Sequence, residues 1–408
     1  MLSERGTLRE FREIAMKAII RPTIPLSEPK LAGNEWAYIK ECLDTNWVSY
    51  QGPFVERFEK ELASRCGSGF AVATSSGTAA LHLALEILGV EPDSEVLMPA
   101  ITFVAPANAV RYCGAWPTLI DIAADDWQID VQKLADFLEK RCIPRNGSLY
   151  NTQTGRRISA LLPVNLLGDI CDVDAICTLA TQYGLPLIED AAECLGAKYK
   201  GRNIAAPTEA IDNSTRIVIT SFNGNKIVTT GGGGALLMND ANLAQRAKHL
   251  STTAKSKALE FYHDEVGYNY RLTNIAAALG VAQLEQLDTF VADKKRIAHQ
   301  YVKAFKQESR ITLHAKSRYG DPIYWLNTIT TEKLALPIIM RVNDVGIMCR
   351  PLWTPLALLP AFQERSYSYE CNFAQYLWKH AISLPSSVGI SDADIDYVAS
   401  TLQGELQT

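Results

Sequence analysis

No apolar run in this sequence approaches the length of about 20 residues that a membrane-spanning helix requires. The first twenty residues carry charges throughout and contain no uninterrupted apolar segment, so a secretory signal is not expected there. An excess of charge of one sign is also missing, because 40 Lys and Arg face 45 Asp and Glu. A net charge of -5 gives no reason to expect nucleic acid or an acidic membrane surface as a partner.

Cysteine pairs with the spacing of a zinc or redox motif are missing as well. The nine cysteines are scattered, and none of them forms a C-x-x-C pair. We therefore expect reduced thiols that are mostly buried, a cytoplasmic protein and no bound metal.

The composition describes a folded chain with more than one core. With 408 residues, of which 47% are hydrophobic and 21% charged, two domains are expected. We predict a helical extension over 1–23, a large domain over 24–280 and a small C-terminal domain over 281–408. The extension is predicted because six apolar residues share one helical face. They are Leu8, Phe11, Ile14, Ala15, Ala18 and Ile19.

Short apolar runs alternate with helical patterns between residues 70 and 240. The predicted strands cover 70–74, 95–98, 118–122, 159–164, 185–189 and 217–222, and the predicted helices cover 78–88, 105–112 and 173–183. This alternation is typical of crossover connections and predicts an α/β fold with a mostly parallel sheet covered on both faces. In such sheets, ligands bind beyond the carboxyl ends of the strands.

The C-terminal part shows a mixed pattern that predicts a smaller α+β domain. We expect a long helix over 274–301, a strand over 337–340 and a last helix over 392–402. The charged run Lys294-Lys295-Arg296 is interpreted as a solvated face of the long helix.

A lysine followed by four glycines stands at the end of the predicted strand 217–222. Lys226 closes the run Asn223-Gly224-Asn225-Lys226, and the glycines at 231–234 precede another apolar stretch. Residues without side chains let a backbone or a flat ligand approach closely. A partly desolvated lysine at such a place can form an imine with an aldehyde cofactor, which makes pyridoxal phosphate the first hypothesis. A solvated loop lysine beside a flexible turn is the other interpretation.

Small and hydroxyl-bearing residues fill the turn between the strand 70–74 and the helix 78–88. Gly77, Thr78 and Ala79 lie where the unpaired amides of a helix start form an anion site, and the Thr78 hydroxyl can donate to a phosphate. A plain helix N-cap accounts for the same residue types.

Carboxylates follow the predicted buried strand 185–189. Asp190 is the candidate partner for a pyridinium nitrogen, and Glu193 can reach a ring oxygen. Acids at a helix start, favoured by the helix dipole, are the alternative. Phe103 can stack on a flat ring or belong to the core. Arg350, beside Trp353, suits phosphate or carboxylate recognition, or a subunit interface.

In this combination and order, these motifs resemble the DegT/DnrJ/StrS family of sugar-nucleotide aminotransferases, which are fold type I pyridoxal phosphate enzymes. The resemblance runs from Ile24 to Ser386 and therefore covers nearly the whole chain. Its carriers are Ser76-Gly77-Thr78-Ala79-Ala80-Leu81, Thr102-Phe103-Val104-Ala105, Glu189-Asp190-Ala191-Ala192-Glu193, Ser221-Phe222-Asn223-Gly224-Asn225-Lys226, Gly267-Tyr268-Asn269-Tyr270-Arg271 and Arg350-Pro351-Leu352-Trp353.

The resemblance implies a role for individual residues. Lys226 is similar to the lysine that forms the Schiff base, and Asp190 to the partner of the pyridinium nitrogen. Asn269 resembles the asparagine that reaches the phosphate from the neighbouring subunit, which implies a homodimer with shared active sites. The other cofactor-binding positions implied are Gly77, Thr78, Ala79, Phe103, Glu193 and Ser221. The substrate-binding candidates are Asn165, Asn223 and Arg350.

Glu193 and the Asn-Gly-Asn-Lys-Ile run resemble the bacillosamine branch of the family. That branch transfers an amino group from glutamate to UDP-4-keto-6-deoxy-N-acetylglucosamine for surface glycans. Enzymes of the GDP-perosamine and legionaminic-acid pathways are the alternatives. In this chain Asn165-Leu166-Leu167-Gly168 replaces the more usual His-Leu-aromatic-Gly.

Three further interpretations compete with transamination. A sugar dehydratase on the same scaffold resembles the family, but those enzymes replace the lysine with histidine or carry a cysteine cluster. A regulatory protein that keeps the cofactor without turnover would also retain Lys226 and Asp190. A nucleotide-binding glycine loop does not match, since the glycines at 231–234 lack G-x-G-x-x-G spacing and precede a strand.

Overall fold

The computed structural model describes residues 23–256 and 259–407. The predicted helical face from Leu8 to Ile19 lies outside the described residues. Within the described ranges, no helix combines the length and the apolar character that crossing a membrane requires.

The helices are α1 (Glu35–Asp44), α2 (Pro53–Cys66), α3 (Gly77–Ile87), α4 (Ala105–Tyr112), α5 (Val131–Arg141), α6 (Val173–Tyr183), α7 (Ala241–Ser251), α8 (Asn274–Glu285), α9 (Leu287–Ala304), α10 (Ala335–Asp344), α11 (Asn372–His380) and α12 (Asp392–Gln407). The strands are β1 (Phe70–Thr74), β2 (Glu95–Pro99), β3 (Trp116–Ile120), β4 (Cys142–Arg145), β5 (Ser148–Asn151), β6 (Arg157–Leu161), β7 (Leu187–Asp190), β8 (Lys198–Tyr199), β9 (Arg202–Asn203), β10 (Arg216–Ser221), β11 (Gly234–Met238), β12 (Ile311–Leu313), β13 (Gly320–Asp321), β14 (Asn327–Thr331), β15 (Arg350–Pro351), β16 (Tyr367–Tyr369) and β17 (Ala381–Leu384).

Short polar side chains set the start of several helices. The side chains of Ser76, Asp130, Asp172, Asp240 and Thr273 accept a hydrogen bond from a backbone amide in the first turn of α3, α5, α6, α7 and α8 respectively. Each bond satisfies one of the amides that a helix start leaves without a partner. The sequence thus fixes these helix starts locally.

The large sheet has the strand order β1-β11-β10-β7-β6-β2-β3-β16, and the hairpin β4-β5 adds to β6. The pairs from β10 through β16 are parallel, whereas β11 runs antiparallel to both β1 and β10. Helices and loops bury both faces of the central strands, as the continuous burial of β2 and β3 shows. The predicted α/β architecture with a mostly parallel sheet is confirmed.

A second, antiparallel sheet with the order β12-β14-β17-β15 lies in the C-terminal part. It packs with α9, α10 and α12 around a separate apolar cluster that contains Ile297, Tyr301, Ile338 and Leu402. The boundary at residue 280 stays a prediction. Helix α9 contributes Phe290 to the large core and Ile297 to the small one, so one continuous helix serves both.

Two predictions about the C-terminal part are wrong. Residues 337–340 do not form a strand but lie in α10, whose buried residues Ala335, Ile338, Ile339 and Val342 have helical spacing. The short apolar run alone does not distinguish a strand from a buried helix. The long helix over 274–301 is divided at Gln286 into α8 and α9.

The predicted solvated face of the charged run is also partly wrong. Lys294 is only 1% exposed, whereas Lys295 and Arg296 form ion pairs with Asp321 and Asp293 at the surface. The sequence pattern does not distinguish a helical turn that directs one lysine into the core from a charged turn that is wholly exposed.

Candidate active site

A cleft of about 570 Å³ opens at the carboxyl ends of the central strands. The turn after β1, the loop after β2 and the ends of β7 and β10 all contribute to its wall. The wall is completed from the C-terminal part by Trp325 and by residues 350–353. Chain segments far apart in the sequence therefore meet where a parallel sheet places its ligands.

Lys226 lies in the tight turn that follows β10. Its backbone amide donates to the Asn223 carbonyl at 3.0 Å, which folds the turn back toward the sheet. The side chain is 13% exposed, with Nζ 3.3 Å from Glu193 Oε1 and 3.9 Å from the centroid of the Trp325 ring. The amine is thus held inside the cleft by a carboxylate and an aromatic face, and it is not a solvated loop lysine.

Asp190 is the last residue of β7 and is buried at the floor of the cleft. Its Oδ1 accepts a hydrogen bond from the Ala192 amide at 3.0 Å, and the described residues provide no hydrogen bond to its other oxygen. Burial raises the pKa of this carboxyl to about 6, while the Ala192 amide and the charge of Lys226 oppose the shift. A buried carboxylate with a free oxygen is suited to a cationic donor within the cleft.

Glu193 connects Lys226 to the backbone of the opposite wall. Its Oε1 faces Lys226 Nζ, and its Oε2 accepts a hydrogen bond from the Leu167 amide at 2.8 Å. Burial raises the pKa of Glu193, and the charge of Lys226 and the Leu167 amide lower it. Both oxygens have partners, so Glu193 is fixed beside the lysine.

The N-terminus of α3 forms the other end of the cleft. Ser76 caps this helix by accepting from the Ala79 amide at 3.0 Å, while Gly77 and Thr78 line the cleft together with Ser221 from the end of β10. The hydroxyls of Thr78 and Ser221 lie beside a positive helix end, which is an arrangement that binds phosphate.

Glycines allow the strands to close around this helix start. A Cβ on Gly234 would lie 2.5 Å from the Gly77 amide nitrogen and from the Ser76 backbone, so only glycine permits the contact between β11 and the turn. Gly232 and Gly233 line the cleft. The glycine run predicted that another backbone would approach closely, and the structure shows this approach at Gly234.

The residues present fit pyridoxal phosphate. The cleft offers an anion site at the helix N-terminus, a buried carboxylate for a protonated ring nitrogen, and an amine for an aldehyde. Phe103 lies at the wall with 54% of its surface exposed, so its ring is available for stacking.

The structure brings most of the sequence-predicted site residues together. Asn223 and Arg350 line the same cleft as the cofactor candidates, and Arg350 is exposed there. The assignments of function to these side chains stay predictions.

Three predicted residues lie away from the cleft wall. The Ala79 amide is used by the Ser76 cap, and the side-chain oxygen of buried Asn165 accepts from the Cys171 amide at 2.9 Å. Asn269 is exposed, in a bridge with Thr252 outside the cleft. In this chain the Ala79 amide and the Asn165 side-chain oxygen are therefore used within the fold, and Asn269 does not line its own cleft.

Sequence reasoning missed Trp325, Asn225, Leu26 and Ser383, which also line the cleft. Trp325 is 99 residues from Lys226, yet its ring faces the lysine and its Nε1 donates to the Asn225 carbonyl at 2.8 Å. No local pattern in the sequence marks Trp325, since the contact depends on how the C-terminal part packs on the sheet.

Comparison with known proteins gives one consistent result. The family model for the DegT/DnrJ/EryC1/StrS aminotransferase family matches residues 29–403. A GDP-perosamine synthase of Caulobacter vibrioides is 36% identical over 93% of this chain and 98% of that protein. The putative pyridoxal phosphate-dependent aminotransferase EpsN of Bacillus subtilis is 38% identical over 93% of this chain and 95% of that protein.

Solved structures give the same result for the fold. The aminotransferase TlmJ from Streptoalloteichus hindustanus matches with a TM-score of 0.83 at 26% identity, over 94% of this chain and 99% of TlmJ. The putative sugar aminotransferase Spr1654 from Streptococcus pneumoniae, in its PMP form, matches with a TM-score of 0.81 at 25% identity, over 94% of this chain and 97% of that chain.

Proposed function

Because the chain belongs to the DegT/DnrJ/EryC1/StrS aminotransferase family, we propose that it transfers an amino group from glutamate to the 4-keto group of a 6-deoxy nucleotide sugar. The fold is that of a fold type I pyridoxal phosphate enzyme, and pyridoxal phosphate is the cofactor. The observation that carries the proposal is the position of Lys226 Nζ beside Glu193, in a cleft with Asp190 at its floor and a helix N-terminus at its end.

Four groups would hold the cofactor. Thr78, Ser221 and the amides at the start of α3 would bind its phosphate, and Asp190 would accept a hydrogen bond from its ring nitrogen. When bound, the cofactor supplies an aldehyde that takes up the amino group and a ring that withdraws electrons. The pKa of Asp190 is raised by burial despite the nearby charge of Lys226, and a protonated ring nitrogen would add a cationic hydrogen-bond donor to this carboxylate.

Lys226 would serve as the acid and base of the reaction. In the first half-reaction its amine would take the proton from the glutamate carbon that bears nitrogen and deliver it to the aldehyde carbon of the cofactor. In the second it would move a proton from that carbon to the sugar carbon that receives the amino group. Glu193 would hold the amine in place between these transfers, since its second oxygen is bound to the Leu167 backbone. Two successive half-reactions through one site would give ping-pong kinetics.

The open side of the cleft suits an anionic, sugar-bearing substrate. Arg350 provides a cation for a carboxylate or a diphosphate, and the cleft wall also offers the apolar surfaces of Trp325, Trp353 and Leu26. Asn223 and Asn225 offer polar groups at the same wall. This combination supports both glutamate and a nucleotide sugar as successive occupants.

A GDP-linked sugar is the first candidate for the acceptor. Three relatives with 31% to 36% identity bear the name GDP-perosamine synthase, in Caulobacter vibrioides, Escherichia coli and Vibrio cholerae. The UDP-linked N-acetylated sugar that the bacillosamine resemblance suggests is the second candidate. A role in polysaccharide biosynthesis in the cytoplasm fits either sugar.

The functional unit would be a homodimer with shared active sites. Large apolar side chains are exposed on α1 and the loop after it, among them Trp36 at 79%, and on the loop after α7, among them Phe261 at 88%. Tyr50 and Thr252 from these two regions line one groove. A second copy of the chain would cover this surface and present Asn269 to the partner's cleft.

A spectrum and a sugar panel test the proposal. The purified protein should show the visible absorption of lysine-bound pyridoxal phosphate, which glutamate removes and a 4-keto sugar restores. The panel contains the 4-keto precursor of GDP-perosamine and UDP-4-keto-6-deoxy-N-acetylglucosamine, and GDP-perosamine with 2-oxoglutarate tests the reverse direction. If glutamate leaves the spectrum unchanged and neither sugar gives a product, the proposal is refuted in favour of a regulatory protein that binds the cofactor without turnover.

A further inference from the structure

Lys294 is a buried amine that the proposed reaction does not use. It lies in α9 with 1% of its surface exposed, and within the described part of the chain it forms no ion pair with a carboxylate. Its Nζ donates to the carbonyl oxygen of Trp325 at 2.8 Å and also to that of Ser386. Burial lowers the pKa of Lys294 to about 7. A lysine kept in the interior at this cost requires an explanation.

The hydrogen bond from Lys294 to the Trp325 carbonyl connects Lys294 to the proposed catalytic residue Lys226. The Trp325 backbone is held by Lys294, while its indole Nε1 donates to the Asn225 carbonyl at 2.8 Å. Asn225 directly precedes Lys226, and the Lys226 amine lies 3.9 Å from the Trp325 ring centroid. A displacement of the Trp325 backbone would therefore move both contacts.

The hydrogen bond from Lys294 to the Ser386 carbonyl connects Lys294 to the Asn225 carbonyl through a second set of residues. The Ser386 amide donates to the Leu26 carbonyl at 2.7 Å. The next residue, Ser27, donates its hydroxyl to the Asn225 carbonyl at 2.9 Å. Lys294 thus contacts Trp325, which donates to the Asn225 oxygen itself, and Ser386, which binds the segment whose Ser27 donates to the same oxygen.

We propose that Lys294 is a positioning residue for Lys226, acting through the two segments that hold the Asn225 carbonyl. The proposal rests on the proposed role of Lys226. A single amine has the donors to bind two carbonyls that approach from different segments, which no apolar side chain of similar length can do. Small misplacements of a reacting group cost up to about 10²-fold in rate, so this network has a direct effect on turnover.

The fold has a separate support for one of these segments. Tyr301, two turns later in α9, donates its hydroxyl to the Pro385 carbonyl at 2.8 Å. A variant without the Lys294 amine therefore keeps an anchor next to Ser386. Lys294→Met is therefore a usable variant, because loss of the Lys294 amine is expected to affect the placement of Lys226 more than the folding of the chain.

The test compares Lys294→Met with Lys295→Met. Lys295 is the next residue of the same helix and pairs with Asp321 at the surface, so it controls for loss of one lysine from α9. In the cofactor-free proteins, competitive acetylation with acetic anhydride and mass spectrometry measure the reactivity of the Lys226 amine. Exposed Lys40 and Lys140 serve as internal references.

We expect Lys294→Met to change Lys226 labelling several-fold relative to the references, and Lys295→Met to leave it unchanged. In the loaded enzyme, kcat should fall about tenfold with the KM for the sugar nearly constant, because placement and not sugar binding is altered. Unchanged Lys226 labelling, or a loss of kcat no larger than the lost folded fraction, would overturn the proposal.

A second variant keeps the test decisive if Lys294→Met does not fold. Trp325→Phe retains an aromatic ring and the backbone carbonyl that Lys294 binds, but it removes the indole donor to the Asn225 carbonyl together with part of the ring, so it should shift Lys226 labelling in the same direction. If both single variants fold, the variant that combines Lys294→Met with Trp325→Phe should reduce kcat by a smaller factor than the product of the two single reductions. The reason is that both substitutions act on the contact between Trp325 and the Asn225 carbonyl. Labelling needs no turnover, so an inactive wild type would refute the proposed function and leave this measurement valid.

Discussion

Two buried carboxylates and one lysine determine the chemistry available at the floor of the cleft. Glu193 has both oxygens occupied, by Lys226 and by the Leu167 amide, whereas Asp190 keeps one oxygen without a hydrogen bond from the described residues. The two acids therefore differ in function although they are three residues apart. Glu193 can orient an amine, and Asp190 can bind a cationic ring nitrogen.

Replacement of the lysine tests the proposed acid and base. We expect Lys226→Ala to reduce turnover by about 10³-fold or more, because no other amine lines the cleft among the described residues. Cofactor binding should persist without the covalent bond, since Thr78 and Ser221 remain. Equilibrium dialysis and amino-transfer assays measure the two effects, with the exposed Lys200→Ala as the control. Turnover close to that of the wild type would contradict the assignment.

Burial of Asp190 predicts a pH-dependent stability of the cofactor-free protein. Its folded-state pKa of about 6 lies above the ordinary value of 3.8, so the protonated carboxyl contributes stability that is complete at low pH and lost as pH rises through about 6. Asp190→Asn should therefore stabilise the cofactor-free protein at pH 7 by up to about 3 kcal/mol.

Thermal unfolding at several pH values measures this difference. The gap between Asp190→Asn and the wild type should close as pH falls from about 7 toward about 4. Asp288→Asn, which changes an exposed carboxylate, should show a small and constant difference. An Asp190→Asn protein that is less stable than the wild type at neutral pH would show that burial of this carboxylate is compensated.

At the scale of elements, the site depends on how closely β11 approaches the start of α3. Gly234 pairs with Thr74 of β1 and Ser221 of β10, which places it against the Ser76-Gly77 turn. The strand thereby fixes the distance between the anion site at the helix N-terminus and the end of β10.

Gly234→Ala tests this close approach. The added Cβ would meet backbone atoms of Ser76 and Gly77 at 2.5 Å, and overpacking of this kind costs about 1–3 kcal/mol. We expect lower stability and a weaker affinity for the cofactor, measured by denaturant unfolding and dialysis. Gly69→Ala is the matched control, because Gly69 does not line the cleft and its Cβ would approach no atom closer than 3.7 Å, an ordinary contact. Equal effects of the two substitutions would refute the role of the close contact.

At the scale of the whole molecule, the proposed dimer accounts for two observations. The exposed apolar side chains of α1 and of the loop after α7 lack a cover, and Asn269 lies outside the cleft of its own chain. Sedimentation should therefore give a dimer, and the active sites should be composite.

Mixed dimers of Lys226→Ala and Asn269→Asp test the sharing of sites. Asn269→Asp places a negative charge at the proposed phosphate contact and should be impaired by itself. If Asn269 acts in the partner's site, a mixed dimer contains one fully native site, and a random mixture recovers about one quarter of the wild-type activity. If Asn269 acts within its own chain, mixing gives no gain over the Asn269→Asp protein.

Local patterns in the sequence were sufficient for the six strands β1, β2, β3, β6, β7 and β10 of the large sheet, and most of the site residues that they predicted line the cleft. Apolar runs predicted strands at 70–74 and 95–98, and the residues after them, such as Thr78 and Phe103, line the cleft. This succeeded because parallel strands bury continuous apolar segments and present their following residues at one edge. Short apolar runs without this context, such as 337–340, were ambiguous.

The burial of Lys294, the place of Trp325 beside Lys226 and the separation of Asn269 from its own cleft follow from packing between distant segments. Lys294 and Trp325 are 31 residues apart, and Trp325 and Asn225 are 100 apart. Periodicity and spacing report only on neighbours within one helix or strand. Contacts between elements depend on which faces can be buried together, and only the assembled core settles that choice.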